Sequence, residues 1–221
     1  MEDTAHYLGK GIYGMVEASR LLRRPVARVR RWANGYTYNR TYDVGHRPPV
    51  LQTERNDKAA LTFAELVELF FVREYSSAGV KIQEIRATAE ALKEEYGEHP
   101  FARKPLLTDG KRLIAVSEHG FISPSTSQLV ADFAAMFVRE LEFADDFARL
   151  WRPKEGEAEI VIDPARALGE PIIEVTGTPT RTVFATFLLE QDFVRVADYY
   201  DLTPTQVRKA IEFELRFADA A

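Results

Sequence analysis

The sequence predicts a mainly α-helical chain with small β-hairpins: an N-terminal winged helix-turn-helix, then a small helical domain of helix-turn-helix type at the C-terminus. Three observations carry this. Apolar residues recur at helical spacing in several segments, as in Ile82, Ile85, Ala89, Leu92 and Tyr96. A run of β-formers, Tyr36-Thr37-Tyr38-Asn39-Arg40-Thr41-Tyr42-Asp43-Val44, follows the second helical segment directly and reads as a hairpin or wing. Pro164, Pro171, Pro179, Gly169 and Gly177 punctuate the last part of the chain and leave room only for short helices there.

In chain order, Ile12 to Leu22 reads as a short strand or turn entering a helix, with Val16, Ala18, Leu21 and Leu22 available to a core. Pro25 opens the next helix, because its missing N–H has no partner in a first turn, and Asn34-Gly35 closes it after about Ala33. On a helical wheel Val26, Val29 and Ala33 gather on one side, with Arg24, Arg28 and Arg31 opposite. Arg23 and Arg30 fall beside the arginine cluster and Trp32 at the edge of the core. Gly45 and Pro48-Pro49 end the wing.

Thr62 and Glu65 stand in capping-box spacing, so a helix starts there and runs to about Tyr75. The 3, 4, 3, 4 spacing from Ile82 gives a helix over 81–96, stopped by Gly97. Residues 98–105 read as a connector, 106–123 as a hairpin, and 127–148 as an amphipathic helix carrying Leu129, Phe133, Met136, Phe137, Leu141 and Phe147. A strand over 159–162 precedes three short helices over 180–189, 193–200 and 204–217, the last capped by Thr203 with Pro204 in its first turn. The expected organisation is 1–98, a winged helix-turn-helix; 99–155, a connecting hairpin and helix; and 156–221, a small helical unit.

Charge is unevenly distributed. The chain has a formal net charge of −5, yet residues 1–50 hold nine Lys or Arg against four acids and the remainder twenty against thirty. Residues 20–47 contain eight arginines and one acid, Asp43. A polyanion is drawn to such a head and repelled by such a body. Residues 187–221, with four basic and seven acidic side chains, are a poor match for phosphate.

Two resemblances follow from these residues. Tyr13-Gly14-Met15-Val16-Glu17-Ala18 through Trp32, the wing, Leu61-Thr62-Phe63-Ala64-Glu65-Leu66 and Gly79-Val80-Lys81-Ile82-Gln83-Glu84-Ile85-Arg86 resemble the MerR-type winged helix-turn-helix. Arg28-Val29-Arg30-Arg31-Trp32 stands where that family usually reads Thr-Leu-Arg-Tyr-Tyr. Val161-Ile162-Asp163-Pro164, Gly169-Glu170-Pro171, Thr176-Gly177-Thr178-Pro179 and Leu202-Thr203-Pro204-Thr205-Gln206-Val207 with Ala210-Ile211 are similar to the domain-of-unknown-function 433 family. The two in this order resemble VapB-like antitoxins. That resemblance implies two partners, double-stranded operator DNA and a cognate PIN-type ribonuclease toxin, and two actions, repression of the chain's own operon and neutralisation of the toxin.

An arginine-faced second helix suits the major groove, where Arg donates bidentately to guanine. The expected DNA-binding residues are Arg23, Arg24, Arg28, Arg30 and Arg31 on and before that helix, with Tyr38, Arg40 and Arg47 on the wing holding the backbone. A single small module binds weakly at cellular salt, so a homodimer reading two half-sites is expected. Phe193, Tyr199, Tyr200, Phe213 and Phe217 are the expected partner-binding residues, since aromatic side chains anchor interfaces. The alternative function is a stand-alone MerR-like regulator whose C-terminal unit senses a ligand or protein. An aromatic-lined pocket between residues 101 and 221 would favour it.

Catalysis is not expected. The absence of cysteine removes thiolate metal sites and thiol nucleophiles and fits a reducing compartment. His6, His46, His99 and His119 are far apart, with no i, i+4 pair, and read as scattered surface residues. Ser117-Glu118-His119 alternates faces on a strand, and Gly9-Lys10-Gly11 and Gly110-Lys111-Arg112 lack phosphate-loop spacing. No cofactor and no metal are expected. Without an apolar run of about 18 residues, and with an acidic start at Glu2-Asp3, neither membrane association nor export is expected, and the location is taken as cytoplasmic.

Overall fold

The computed structural model describes residues 10–40, 43–53, 60–103, 138–153 and 159–218. Among these residues are seven α-helices, a two-stranded sheet and a four-stranded sheet. The chain is therefore mainly helical with small antiparallel sheets, as its periodicity predicts.

Helix α1 (Met15–Leu22) stops because Arg23 takes a left-handed conformation, φ 49° and ψ 50°, and its N–H bonds to the Arg20 carbonyl at 3.0 Å. Ser19 fixes the turn that follows. Its hydroxyl donates to the Arg24 carbonyl at 2.6 Å and its own carbonyl accepts from the Arg24 N–H at 3.1 Å. Pro25 occupies the N-cap of α2 (Val26–Asn34), one residue before the first-turn position the sequence suggests; its carbonyl accepts from the N–H groups of Arg28 and Val29. Helix α2 buries Val29, Trp32 and Ala33.

The wing is β1 (Tyr36–Arg40) against β2 (Asp43–Arg47), antiparallel, with Tyr36 opposite Arg47 and Tyr38 opposite Gly45. Gly35 makes the corner between α2 and β1. Its φ is +71°, and a Cβ there would lie 2.5 Å from the Arg47 carbonyl oxygen, so both backbone angle and space require glycine. The wing's exit returns to the helix through the Val50 N–H, which bonds to the Trp32 carbonyl at 2.8 Å.

Helix α3 (Phe63–Ser77) begins with the capping box that the spacing predicts. The Glu65 N–H donates to the Thr62 hydroxyl at 3.1 Å, and the Thr62 N–H donates to the Glu65 carboxylate at 2.7 Å. Every residue from Phe63 to Val72 is buried, so α3 is the post around which the N-terminal elements pack. Helix α4 (Ile82–Tyr96) buries Ile85, Ala89 and Leu92, the inner residues of the 3, 4, 3, 4 pattern. Beyond it Phe101 is buried and stacks on Phe71 at 5.6 Å.

The expected helix over 127–148 is corrected at its C-terminal end. Residues 141–148 belong to a hairpin, β3 (Leu141–Ala144) and β4 (Phe147–Trp151), joined through Asp145 and Asp146, with Asp145 at φ 52°. The rest of that expected helix and the hairpin over 106–123 lie outside the described residues. Strands β5 (Ile160–Ile162) and β6 (Pro171–Ile173) extend the sheet in the order β3-β4-β5-β6, every pairing antiparallel. Arg152 clamps its polar edge, bonding Glu142 and, through both terminal nitrogens, Glu174. On the other side, Trp151 meets Phe70 of α3 edge-on, centroids 4.7 Å apart.

Helices α5 (Thr180–Glu190), α6 (Phe193–Tyr199) and α7 (Pro204–Ala218) close the chain. Asp192 caps α6, accepting from the N–H groups of Val194 and Arg195. Thr203 and Gln206 exchange caps at the start of α7. Their own core is Val183, Val196, Ala197, Val207, Ala210 and Ile211, whereas Phe213 reaches out of it into the larger core built on α3.

Candidate nucleic-acid interface

Helix α2 is held against the core by Val29, Trp32 and Ala33, which fixes what it presents outward. Arg28, Arg30 and Arg31 are exposed there, and Arg47 is exposed on the facing strand of the wing. Arg31 lies over the Tyr36 ring at 5.1 Å and Arg47 over the Tyr38 ring at 5.3 Å. Each ring thus attracts the guanidinium above it through its negative face.

Arg28, Arg31, Trp32, Tyr36, Arg47, Ile82, Gln83 and Arg86 line one groove between α2, the wing and α4. Four arginines and no acid line it. Arg86 was not among the residues the sequence singled out for DNA. Its Nε donates to the Pro49 carbonyl at 3.0 Å, which aims the side chain toward the wing. Burial, and then the positive charge of Arg47, hold the Arg86 guanidinium below its ordinary pKa. An arginine does not deprotonate at physiological pH, so Arg86 stays charged in the groove. On the opposite flank of α2, Arg30, Asn34, Thr37 and His46 line a second, wider concavity with Met15, Gly35 and Tyr36.

The remaining residues singled out in the head have different surroundings. Arg24 does not project with Arg28 and Arg31: its guanidinium donates to the Arg23 carbonyl at 2.9 Å and to the Ser77 hydroxyl. Burial, then Arg73 and Arg28, lower its pKa. Arg23 is the left-handed residue that ends α1, half-buried. Tyr38 is half-buried beneath Arg47, and a Cβ on Gly45 would strike its ring, which is why the facing position is glycine. Arg40 is on β1, with its side chain outside the described residues.

The aromatic residues expected to meet a partner divide similarly. Phe213 is fully buried and packs inside the protein, a correction to its assignment as a contact residue. Phe193 is half-buried against Phe187 at 4.5 Å, and Tyr200 is half-buried, its hydroxyl bonded to that of Thr186 at 2.6 Å. Tyr199 is 56% exposed. Phe217 is on α7, with its side chain outside the described residues.

His99 departs from the expectation of scattered surface histidines: its Nδ1 is 3.0 Å from the carboxylate of Glu68, which is buried in α3. Ser117, Glu118 and His119 fall outside the described residues. Among the described residues no group of three or more His, Asp or Glu is placed to hold a metal ion, and no helix is long and apolar enough to cross a membrane.

A short helix pair whose second member carries outward arginines, with a hairpin flanking it, has the form of a winged helix-turn-helix. Residues 11–89 match the family model described as "Putative DNA-binding HTH domain", and residues 160–213 match the one described as "Protein of unknown function (DUF433)". Over nearly its whole length the chain is similar to "Putative antitoxin VapB45" of Mycobacterium tuberculosis, 29% identical across 91% of this chain and 92% of the relative. It is also similar to "Uncharacterized protein Rv2308" of the same organism, 23% identical across 95% and 92%. The crystal structure of Rv2018 from Mycobacterium tuberculosis matches with a TM-score of 0.74 and 26% identity over 93% of this chain and 99% of that one. The N-terminal part of the chain is thus similar to a helix-turn-helix domain and the C-terminal part to a DUF433 domain.

Proposed function

We propose that this protein is the antitoxin of a toxin–antitoxin pair, binding operator DNA as a homodimer through α2 and the wing and neutralising a PIN-type ribonuclease through its C-terminal part. The observation that carries the DNA half is the groove in which Arg28, Arg31, Arg47 and Arg86 converge with no acid among its lining residues. Such a set neutralises phosphates at its rim and offers bidentate donors to guanine at its centre. Arg28 and Arg31 approach the bases, while Arg30, Arg40, Arg47 and Arg86 pair with phosphates and Tyr38 adds a neutral backbone contact; Arg23 and Arg24 act by shaping the turn. The MerR-type pattern of residues 13–86 and the near full-length similarity to "Putative antitoxin VapB45" support the same reading.

The test is titration of the purified chain with duplex DNA from upstream of its own coding sequence, between roughly 50 and 200 mM salt. Four phosphate contacts per protomer give a slope of log K against log salt of about −3.6 per protomer. A flat salt dependence, or equal affinity for unrelated duplexes at every salt concentration, overturns the reading.

A further inference from the structure

The helical unit at the C-terminus has one surface that its fold leaves unexplained. At the corner where α5 turns into α6, Leu189 is 85% exposed, Val194 59%, Tyr199 56% and Leu188 55%. The corner is held as one piece: Arg195 pairs with Glu190 at 3.0 Å, the Tyr199 hydroxyl donates to the other Glu190 oxygen at 3.4 Å, and Phe187 packs on Phe193 beneath. Large apolar side chains grouped on a rigid edge mark an interaction site rather than ordinary surface. Glu190 is paired with the exposed Arg195, and the exposed Asp192, Asp198 and Asp201 close by in the chain leave the corner acidic.

We propose that this α5–α6 corner is the surface that occludes the RNA-binding face of a ribonuclease, its apolar centre seated in the enzyme's cleft and its carboxylates facing the enzyme's cations. The proposal rests on the antitoxin reading and gives that reading a surface. Charge selects the occupant. A nuclease must present lysines and arginines to hold a polyanion, and an acidic rim is complementary to such a face. A second copy of this chain seated corner to corner would bring like charges together, which costs rather than stabilises. Duplex DNA is repelled for the same reason. Side chains at this exposure contribute nothing to the core, so the corner can be altered without unfolding the unit.

The experiment uses the full chain and the purified protein encoded by the adjacent reading frame, with affinity measured by calorimetry in wild type, Leu189→Asp, Asp198→Lys and the control Val175→Asp. Val175 is 79% exposed and lies outside the corner. The expected result is at least a tenfold loss of affinity in Leu189→Asp and in Asp198→Lys, none in Val175→Asp, and competition by single-stranded RNA. Tight wild-type binding with unchanged affinity in both corner variants, or a ternary complex with RNA, overturns the corner while leaving the antitoxin reading intact. Failure of the wild-type chain to bind its neighbour overturns both. Loss of self-association in Leu189→Asp with partner affinity retained assigns the corner to a second copy and overturns the proposal.

Discussion

Arg20 of α1 and Glu214 of α7 are 194 residues apart in the chain and 2.8 Å apart in space. The Glu214 side chain is 5% exposed and its other oxygen accepts from the buried Thr180 hydroxyl at 2.5 Å, so one carboxylate joins the first helix of the DNA-binding domain to α5 and α7. Tyr13 supports the same junction, because a Cβ on Gly169 would lie 2.3 Å from its hydroxyl oxygen. Arg20 is thereby a structural charge, although it belongs to the arginine-rich stretch.

Removing Arg20 leaves Glu214 buried with one charge partner fewer. We expect Arg20→Ala to destabilise the chain by about 2 kcal/mol, a value lowered by the one-third exposure of the arginine. Urea denaturation of Arg20→Ala, Glu214→Gln and the double variant checks it. Additive losses would show that the two side chains do not interact.

Arg31→Ala and Arg86→Ala should weaken DNA binding in different ways. Loss of a base-reading arginine costs about 1–3 kcal/mol at its preferred base pair and relaxes the choice there. Loss of a phosphate contact weakens all sequences alike and reduces the salt slope by about one. Competition titrations with single-base-pair variants of the operator separate the two. Identical behaviour of both variants would overturn the division of labour.

The N-terminal cap of α3 offers a stability test free of function. Thr62→Ala removes the acceptor for the Glu65 N–H and should cost about 1 kcal/mol. Thr62→Ser should restore most of it. Thermal denaturation with DNA-binding titration is the measurement, and unchanged stability in Thr62→Ala would contradict the cap's role.

Stability should fall as pH rises through the titration of His99 and Glu68. Burial opposes charge on the ring, but the hydrogen bond and charge of Glu68 outweigh it and raise the His99 pKa. Burial outweighs the pull of His99 and raises Glu68 as well. Both groups therefore hold protons more tightly folded than unfolded. The His99 contribution is complete below an unfolded pKa of about 6.5 and is lost as pH rises through its higher folded value. The Glu68 term has the same sign and begins at lower pH. The double variant His99→Asn, Glu68→Gln removes both titrating groups, with Asn suiting the left-handed backbone at φ 57°, and should flatten the decline in melting temperature above about pH 6.5; His99→Asn alone should not, because Glu68 then loses the partner that lowers its pKa.

Much of the architecture was legible because local chemistry and tertiary packing agree. Thr62 with Glu65, the spacing from Ile82 to Leu92, and Thr203 before Pro204 each produce the helix start or face they imply. The hairpin after Glu140 was not read, because Phe133, Met136, Phe137 and Leu141 continue a helical period into it. Asp145-Asp146 between two apolar runs was the available signal, since a two-residue hairpin turn favours residues that tolerate positive φ. Helix α2 showed its arginine face in sequence, but Arg24 turns aside to Ser77 and Arg86 joins from another helix. Both outcomes depend on how distant elements pack. Phe213 lies on a helix face whose period marks it as buried without saying in which core.

Trp151, Ile160 and Phe213 fill the same interior as Leu66 and Phe70. Trimming the chain from its C-terminal end would therefore withdraw wedges from beneath the reading head as well as remove the final helices. Loosening α7 would thus loosen the seat of α2 as well, and the two regions should melt in one transition.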